Sequence, residues 1–222
     1  MKRVVPILLT LLVAACSGGT DVVPEISLPD YFKADDLGGA VLPSDCPGGE
    51  PKLVDGAPAA WTVIHYAAGD NNLEKVLIED INEMEMGHRG SANVNVLTQL
   101  DRYSEPGVWR YAIEPGSKLE EIESPLVGYS ETEPDSGDWR TLAAFGQWAV
   151  TCYPAENYML VIGGHGAGWS TSEDDRSLAE RSQDMLGEGY GDGFRSIAPD
   201  NSHASEITID KLARALASIS AA

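Results

Sequence analysis

The stretch from Tyr158 to Trp169 constrains the fold of this chain more than any other part of the sequence. It reads YMLVIGGHGAGW, an apolar run that stops abruptly at a glycine-rich segment containing His165. A continuous apolar run is typical of a strand buried on both faces, as in a parallel sheet covered by helices. His165 then lies just past the carboxyl end of that strand, where open α/β sheets bind their ligands. A tight turn in which the His165 imidazole has no function fits the same local pattern.

The first residues form an export signal rather than part of a folded core. Two basic residues precede an apolar stretch, Val4 to Val13, that is too short to span a bilayer. Small residues then lead into Cys16, and the segment Val13 to Cys16 resembles a lipobox, where lipoprotein precursors are cut and the new amino-terminal cysteine is acylated. We therefore expect residues 1–15 to be a lipoprotein signal peptide and Cys16 to anchor an exported protein in the bacterial cell envelope. An ordinary signal peptide that contains a cysteine is the alternative.

The charge balance excludes one class of partner. The 222 residues contain 15 Lys and Arg against 35 Asp and Glu, a formal net charge of −20. Nucleic acid is therefore not an expected partner. Such an excess can attract Ca²⁺, but no calcium-binding motif accompanies it, and a solvated acidic surface on an exported protein explains the same composition. Cys46 and Cys152 complete the cysteines, and an oxidising compartment would allow them to form a disulfide.

The remaining sequence divides into a tether and one folded domain. Residues 16–60 are rich in Pro, Gly and Asp without a sustained period, which predicts the acylated terminus followed by a tether. Over residues 61–222, strand and helix patterns alternate, as in a mostly parallel α/β sheet flanked by helices. The predicted strands span residues 61–67, 93–99 and 158–162, with short edge strands near 107–113 and 125–129. The predicted helix caps are Asn71 or Asn72, Asp138 and Thr208.

Acidic residues follow two of the predicted strands. Asp101 is predicted to lie just beyond the end of the second strand. Residues 170–206 are acidic, polar and glycine-rich, and such a length without predicted structure indicates either a functional or a mobile connection.

Four segments, in this order, resemble the clostripain-like cysteine peptidases, relatives in fold of the caspases and gingipains. They are WTVIHYAAGDNNLE at 61–74, FGQWAVTCYPAENYMLVIGGHGAGW at 145–169, RSIAPDN at 195–201 and ITIDKLARAL at 207–216. The resemblance implies a caspase-like sheet in which His165 is the catalytic general acid/base and the backbone N–H of Gly166 donates to the oxyanion. It also implies a peptide or protein substrate, cleaved after a basic residue.

The resemblance further implies a nucleophilic cysteine, in an Asp-Ala-Cys motif after the next strand. These 222 residues do not contain that motif. We therefore expect residues 61–222 to be the histidine-bearing part of a caspase-like domain that is incomplete at its C-terminus, with structural roles for Cys46 and Cys152. Enzymes of this kind are commonly matured by a cut between the histidine and the cysteine, which makes Arg176 and Arg181 candidate processing sites.

The leading interpretation is thus a lipid-anchored, exported cysteine endopeptidase that lacks its nucleophile in this sequence. The alternative is a non-catalytic exported lipoprotein that uses the same scaffold as a binding module. An esterase is disfavoured because no Gly-x-Ser-x-Gly nucleophile elbow occurs. A zinc site is disfavoured because there is no His-Glu-x-x-His motif and the four histidines are scattered, at His65, His88, His165 and His203.

Overall fold

The structure is a computed structural model that describes residues 45–166 and 196–222. A short 3₁₀ helix, Pro47–Gly49, precedes the regular elements. In chain order these are β1 (Ala59–Gly69), α1 (Glu74–Gly87), β2 (Val94–Arg102), β3 (Val108–Ala112), β4 (Leu126–Ser130), α2 (Trp139–Cys152), β5 (Ala155–Gly163), β6 (Ser196–Asp200), β7 (Ser205–Thr208) and α3 (Ile209–Ser220). Within these ranges, none of the helices has the length and apolar character needed to span a bilayer.

Five of the strands form one mixed, mostly parallel sheet in the spatial order β4-β3-β2-β1-β5. β1 is parallel to both of its neighbours, β2 and β5. β3 and β4 extend the sheet in antiparallel pairing beyond β2. The predicted α/β architecture is confirmed, and the two short edge strands lie where the sequence predicted them.

The helices cover both faces of the sheet. Successive side chains of β1 point to opposite faces, so β1 contributes to a core on each side. Ile64 and Tyr66 belong to a core cluster shared with α2 and α3. Ala67, on the other face, packs in a second cluster with Leu77 and Ile81 of α1. Asp138 caps α2 as predicted, since its side chain accepts a hydrogen bond from the Arg140 N–H at 3.0 Å.

β5 differs from its prediction as a strand buried on both faces. It lies at the end of the described sheet, and β1 occupies a position between two parallel neighbours. In β5 only Ala155 and Leu160 are buried, whereas β1 is buried along most of its length. The apolar run correctly predicted a strand, but strand order depends on contacts that a local pattern does not encode.

The start of α1 and the end of β2 also differ from prediction. The N-cap position of α1 is Leu73 rather than an asparagine, although Asn71 Oδ1 accepts a hydrogen bond from the Leu73 N–H at 2.9 Å. β2 continues through Asp101 instead of ending before it, so this carboxyl is buried within the sheet.

The hairpin formed by β6 and β7 was not predicted. These two strands pair antiparallel, and they begin within the segment that was predicted to lack regular structure. The helix predicted to follow is present as α3, with Thr208 at its N-cap position. Its Ile219 packs directly against Gly146 of α2, where a Cβ would collide with the isoleucine side chain.

A disulfide joins Cys46 to Cys152, with the two Cα atoms 5.1 Å apart. The segment ahead of β1 is further held by a hydrogen bond from the Lys52 N–H to the Cys152 carbonyl at 2.7 Å. Trp148 Nε1 donates to the Asp45 carbonyl at 3.1 Å. Residues 45–58, predicted as the end of a tether, are therefore fastened to the amino-terminal edge of the sheet.

Candidate active site

The candidate site lies where β1 and β5 end side by side at the carboxyl edge of the sheet. The parallel register pairs Ala67 of β1 with Gly163 of β5. The turn after β1 carries Asn72, and His165 follows β5 two residues beyond its end. Parallel strands present their carboxyl ends at the same edge, which brings together two residues that are 93 positions apart in the chain.

Two glycines allow the chain to leave β5 in this direction. A Cβ on Gly163 would lie 2.8 Å from Leu77 Cδ2 and 2.9 Å from His65 Nε2. Gly164 has a φ of +144°, and a Cβ there would lie 3.1 Å from the Ala68 carbonyl oxygen. Only glycine adopts this backbone conformation without strain at such a close approach. The glycines therefore fix where His165 lies.

His165 forms a direct hydrogen bond with Asn72. The distance from His165 Nε2 to Asn72 Oδ1 is 2.6 Å. An amide oxygen only accepts, so Nε2 must carry the proton that is shared in this bond. In the neutral imidazole Nδ1 is then unprotonated, and it is the nitrogen available to take a proton from a nucleophile.

The electrostatic setting keeps His165 neutral. Partial burial lowers the pKa of its imidazole below the ordinary value, because removing the ring from water disfavours its charged form. At neutral pH the ring is thus a base ready to accept a proton. The position of His165 was predicted from the sequence, whereas Asn72 was predicted only as a helix cap.

The backbone after His165 is held by the β6–β7 hairpin. The Ala198 N–H donates to the His165 carbonyl at 3.1 Å, and Gly166 lies opposite Ile197 in an antiparallel bridge. In an antiparallel pair, residues flanked by such a bond occupy a non-hydrogen-bonded position. The bridge to Ile197 therefore does not use the Gly166 N–H, which was predicted to be an oxyanion donor.

The two bonded cysteines lie at the opposite edge of the sheet. Cys152 ends α2 just before β5 begins, whereas His165 follows the last residue of that strand. The length of β5 separates them by roughly 26 Å at the usual rise of a strand. Neither sulfur can reach the imidazole, in agreement with the structural roles predicted for both cysteines.

The other predicted functional residues lie outside the described residues. Cys16 belongs to the amino-terminal part of the sequence, and Arg176 and Arg181 belong to the segment between Gly166 and Ser196. The structure therefore does not bear on the predicted lipidation and processing sites.

The other three histidines make different contacts. His65 is buried in β1 beneath Gly163, and burial lowers its pKa to about 4. His88 follows α1 and accepts a hydrogen bond from the Gly90 N–H at 3.1 Å. His203 pairs through Nδ1 with Asp200 at 3.1 Å.

Comparison with known proteins defines the class to which this fold belongs. A secreted C11 cysteine protease from Bacteroides thetaiotaomicron, solved with an irreversible peptide inhibitor, superposes with a TM-score of 0.50 at 20% identity, covering 72% of this chain and 39% of its own. A second structure of such a protease from the same organism, called iotapain, gives a TM-score of 0.51 at 15% identity and covers 73% of this chain and 43% of its own. The fold is the caspase-like fold of these cysteine proteases.

The sequence itself matches the clostripain family over residues 65–189, more than half of the chain. Clostripain from Hathewaya histolytica is 28% identical over 123 residues, which cover 48% of this chain and 23% of clostripain. The chain belongs to the clostripain family of cysteine peptidases. It spans less than half the length of each of these three relatives.

The hydrogen bond between His165 and Asn72 predicts the tautomer of the His165 ring, which can be measured without catalytic activity. Long-range ¹H–¹⁵N NMR of the neutral His165 ring should show the Nε2–H tautomer. In the Asn72→Ala variant we expect a mixture of both tautomers, because the acceptor that favours Nε2–H is lost. His88 is the internal control, since its Nδ1 acceptor role does not involve Asn72. An unchanged His165 tautomer in the variant would show that Asn72 does not orient the ring.

Proposed function

We propose that this chain supplies the general acid/base and one oxyanion donor of a cysteine endopeptidase. The observation that carries this proposal is the bond between His165 Nε2 and Asn72 Oδ1, which leaves Nδ1 as the basic nitrogen beside the candidate donor Gly166. Membership of the clostripain family supports the same reaction class.

The proposed chemistry assigns one proton path to His165. Nδ1 takes the proton of a cysteine thiol, and the resulting thiolate attacks the scissile carbonyl carbon. The Gly166 N–H stabilises the negative charge that develops on the carbonyl oxygen. The imidazolium then returns its proton to the leaving amine as the C–N bond breaks. Water, deprotonated by the same nitrogen, releases the acyl group and restores the thiol.

The nucleophile of this proposed reaction lies outside the 222 residues. The sequence has three cysteines, of which Cys46 and Cys152 are joined in the disulfide. Cys16 is the proposed lipid site, remote in sequence from the histidine. We therefore place the reactive thiol in an Asp-Ala-Cys motif of a longer gene product, as the family resemblance implies.

Cleavage after arginine or lysine is the proposed specificity, and its support is family resemblance. The test compares fluorogenic peptides that differ only in the residue before the scissile bond. The longer gene product should hydrolyse the arginine and lysine reporters and leave an aspartate reporter intact, whereas the 222-residue chain should hydrolyse none. If the longer product hydrolyses no peptide but still binds one, the binding-module alternative takes the place of this proposal.

We also propose export and a lipid anchor at Cys16. The leader and the lipobox-like segment support this, and the similar Bacteroides thetaiotaomicron protease is itself a secreted protein. Mass spectrometry of the mature amino terminus should find an acylated Cys16, and Cys16→Ala should prevent acylation. A mature protein that starts elsewhere and carries no lipid would refute the anchor.

We also propose that the protein is cleaved between His165 and the nucleophilic cysteine, with Arg176 and Arg181 as the sites. Both are basic residues in the acidic segment that follows the site, and loop arginines balancing nearby carboxylates explain them equally well. Limited trypsin digestion should cut at these residues before the core is digested. Complete resistance at both positions would count against a processing role.

A further inference from the structure

Three aspartates are buried together at the carboxyl edge of the sheet, next to the candidate site. Asp70 follows β1, Asp101 lies in β2 and Asp200 ends β6, and their exposed fractions are 0%, 1% and 0%. Asp101 interacts electrostatically with both of the others, and the Asp70 and Asp200 carboxyls are in contact. The other titratable groups that act on this cluster are Tyr66 on β1, Glu133 and Asp135 ahead of α2, and His203 in the turn of the hairpin.

Two of the three carboxyl groups hold the β6–β7 hairpin against neighbouring parts of the chain. Asp70 accepts hydrogen bonds from the hairpin turn, through its carbonyl from the Asn201 N–H at 3.0 Å and through Oδ2 from the Ser202 N–H at 2.6 Å. Asp200, on the hairpin, accepts a hydrogen bond through Oδ2 from the N–H of Ser136, which precedes α2, at 2.8 Å. The hairpin in turn bonds the backbone of His165. The docking of this hairpin therefore uses the side chains of two of the aspartates.

The third carboxyl group has no such partner. Among the described residues, neither oxygen of Asp101 lies in hydrogen-bond geometry with a donor, and Asp70 Oδ1 is equally without one. An ionised carboxylate that is buried without a partner costs several kcal/mol, so such groups take up a proton instead. Burial raises the pKa of Asp101 to about 8; the Asp200 and Asp70 charges add to this shift, and the neighbouring Ser136 hydroxyl opposes it. Burial and the contact with Asp70 raise the pKa of Asp200 to about 6.

We propose that Asp101 and Asp200, packed against Asp70, form a proton-held latch, which docks the β6–β7 hairpin against the sheet while at least one of these two carboxyls is protonated and releases it when both are ionised. A bound metal ion is the competing explanation. In the described residues, the acidic and histidine side chains whose ligand-capable atoms all lie within 4.8 Å of one another are Asp135, Asp200 and His203, a set without Asp70 and Asp101. In that set His203 Nδ1 lies 3.1 Å from Asp200 Oδ1 and forms an ion pair with it when the ring is protonated. In the proposed latch, protons rather than a metal ion compensate the charge of the cluster.

The direction of the pH effect follows from the proton balance. Asp101 has a pKa of about 8 when folded, whereas an unfolded aspartate has a pKa of about 3.9. Between these values the folded state binds one more proton than the unfolded state. The stabilisation is therefore complete below about pH 4 and is lost as the pH rises through 8. In the proposal, release of the hairpin exposes Asp101 to water as unfolding does, so this one group should lower the equilibrium constant for docking by about tenfold for each pH unit between 6 and 8.

Hydrogen–deuterium exchange of the full chain tests the latch, after correction for the intrinsic pH dependence of exchange. Amides of residues 196–208 should lose about tenfold in protection per pH unit between about pH 6 and 8, while those of β1 change little. Asp101→Asn should keep the hairpin protected across this range, because the amide is neutral and of the same shape. Asp55→Asn is the matched control, since Asp55 is exposed and remote in sequence from the cluster, and it should behave like the parent chain.

Three results would overturn the proposal. The first is a protection of the hairpin amides against exchange that does not change with pH in the parent chain. This result counts even if Asp101→Asn fails to fold. Another is a pH-dependent loss that persists unchanged in Asp101→Asn. The third is stabilisation of the parent chain, but not of Asp101→Asn, by millimolar Mg²⁺, Ca²⁺ or Mn²⁺, because the cluster would then hold a cation.

Discussion

In the longer gene product proposed above, His165→Ala should lower kcat/KM for an arginine reporter by on the order of 10⁴-fold. The thiol would lose the base that ionises it, and the leaving amine would lose its acid. The half-buried ring lies at the sheet edge and bonds the exposed Asn72, so its removal should affect stability little. Steady-state hydrolysis at neutral pH, together with a melting curve for each variant, measures both effects.

His88→Ala is the matched control, because His88 lies outside the site in the loop after α1. It should retain the activity of the parent enzyme. If His165→Ala were to hydrolyse the reporter within tenfold of the parent, the assignment of His165 as acid/base would be wrong. A large loss in both variants would indicate unfolding rather than a chemical role.

The second large effect concerns the disulfide. Replacing Cys46 and Cys152 together by serine should lower the free energy of unfolding by about 2–5 kcal/mol. The bond closes a loop with a sequence separation of 106 residues, and it keeps the segment around Asp45 against Trp148. Denaturant unfolding of the oxidised chain and of the double variant measures the difference.

The same loss should appear when the parent chain is reduced, and the double variant should be insensitive to reductant. In the longer gene product proposed above, peptide hydrolysis should persist in the folded double variant, because both sulfurs lie at the far edge of the sheet from His165. Equal unfolding midpoints for the oxidised parent chain and the double variant would show that the bond does not stabilise the fold. Loss of hydrolysis in a folded double variant would contradict the structural role of these cysteines.

Local patterns were sufficient to predict most of the scaffold. The apolar run before His165 predicted β5, and the glycines after it placed the histidine at the carboxyl edge. Asp138 predicted the start of α2 because capping involves residues close together in the sequence. Motif resemblance then identified the family, which comparison with known proteins confirmed.

The features that were missed depend on contacts between distant residues. Asn72 was predicted as a cap, but it bonds a ring 93 positions away. The hairpin was missed because its first strand contains Pro199 and its docking depends on Asp70, far earlier in the chain. The edge position of β5 and the burial of Asp101 follow from strand order, which hydrophobic periodicity does not specify.

The most direct test of the central claim is to map the residue that an irreversible, thiol-directed peptide inhibitor labels in the proposed longer gene product. Mass spectrometry should find the label on a cysteine outside these 222 residues, and His165→Ala should label far more slowly because its thiol is no longer ionised by the imidazole. Labelling of Cys46 or Cys152, or continued peptide hydrolysis after complete alkylation of the free thiols, would contradict the assignment of His165 to a cysteine peptidase site.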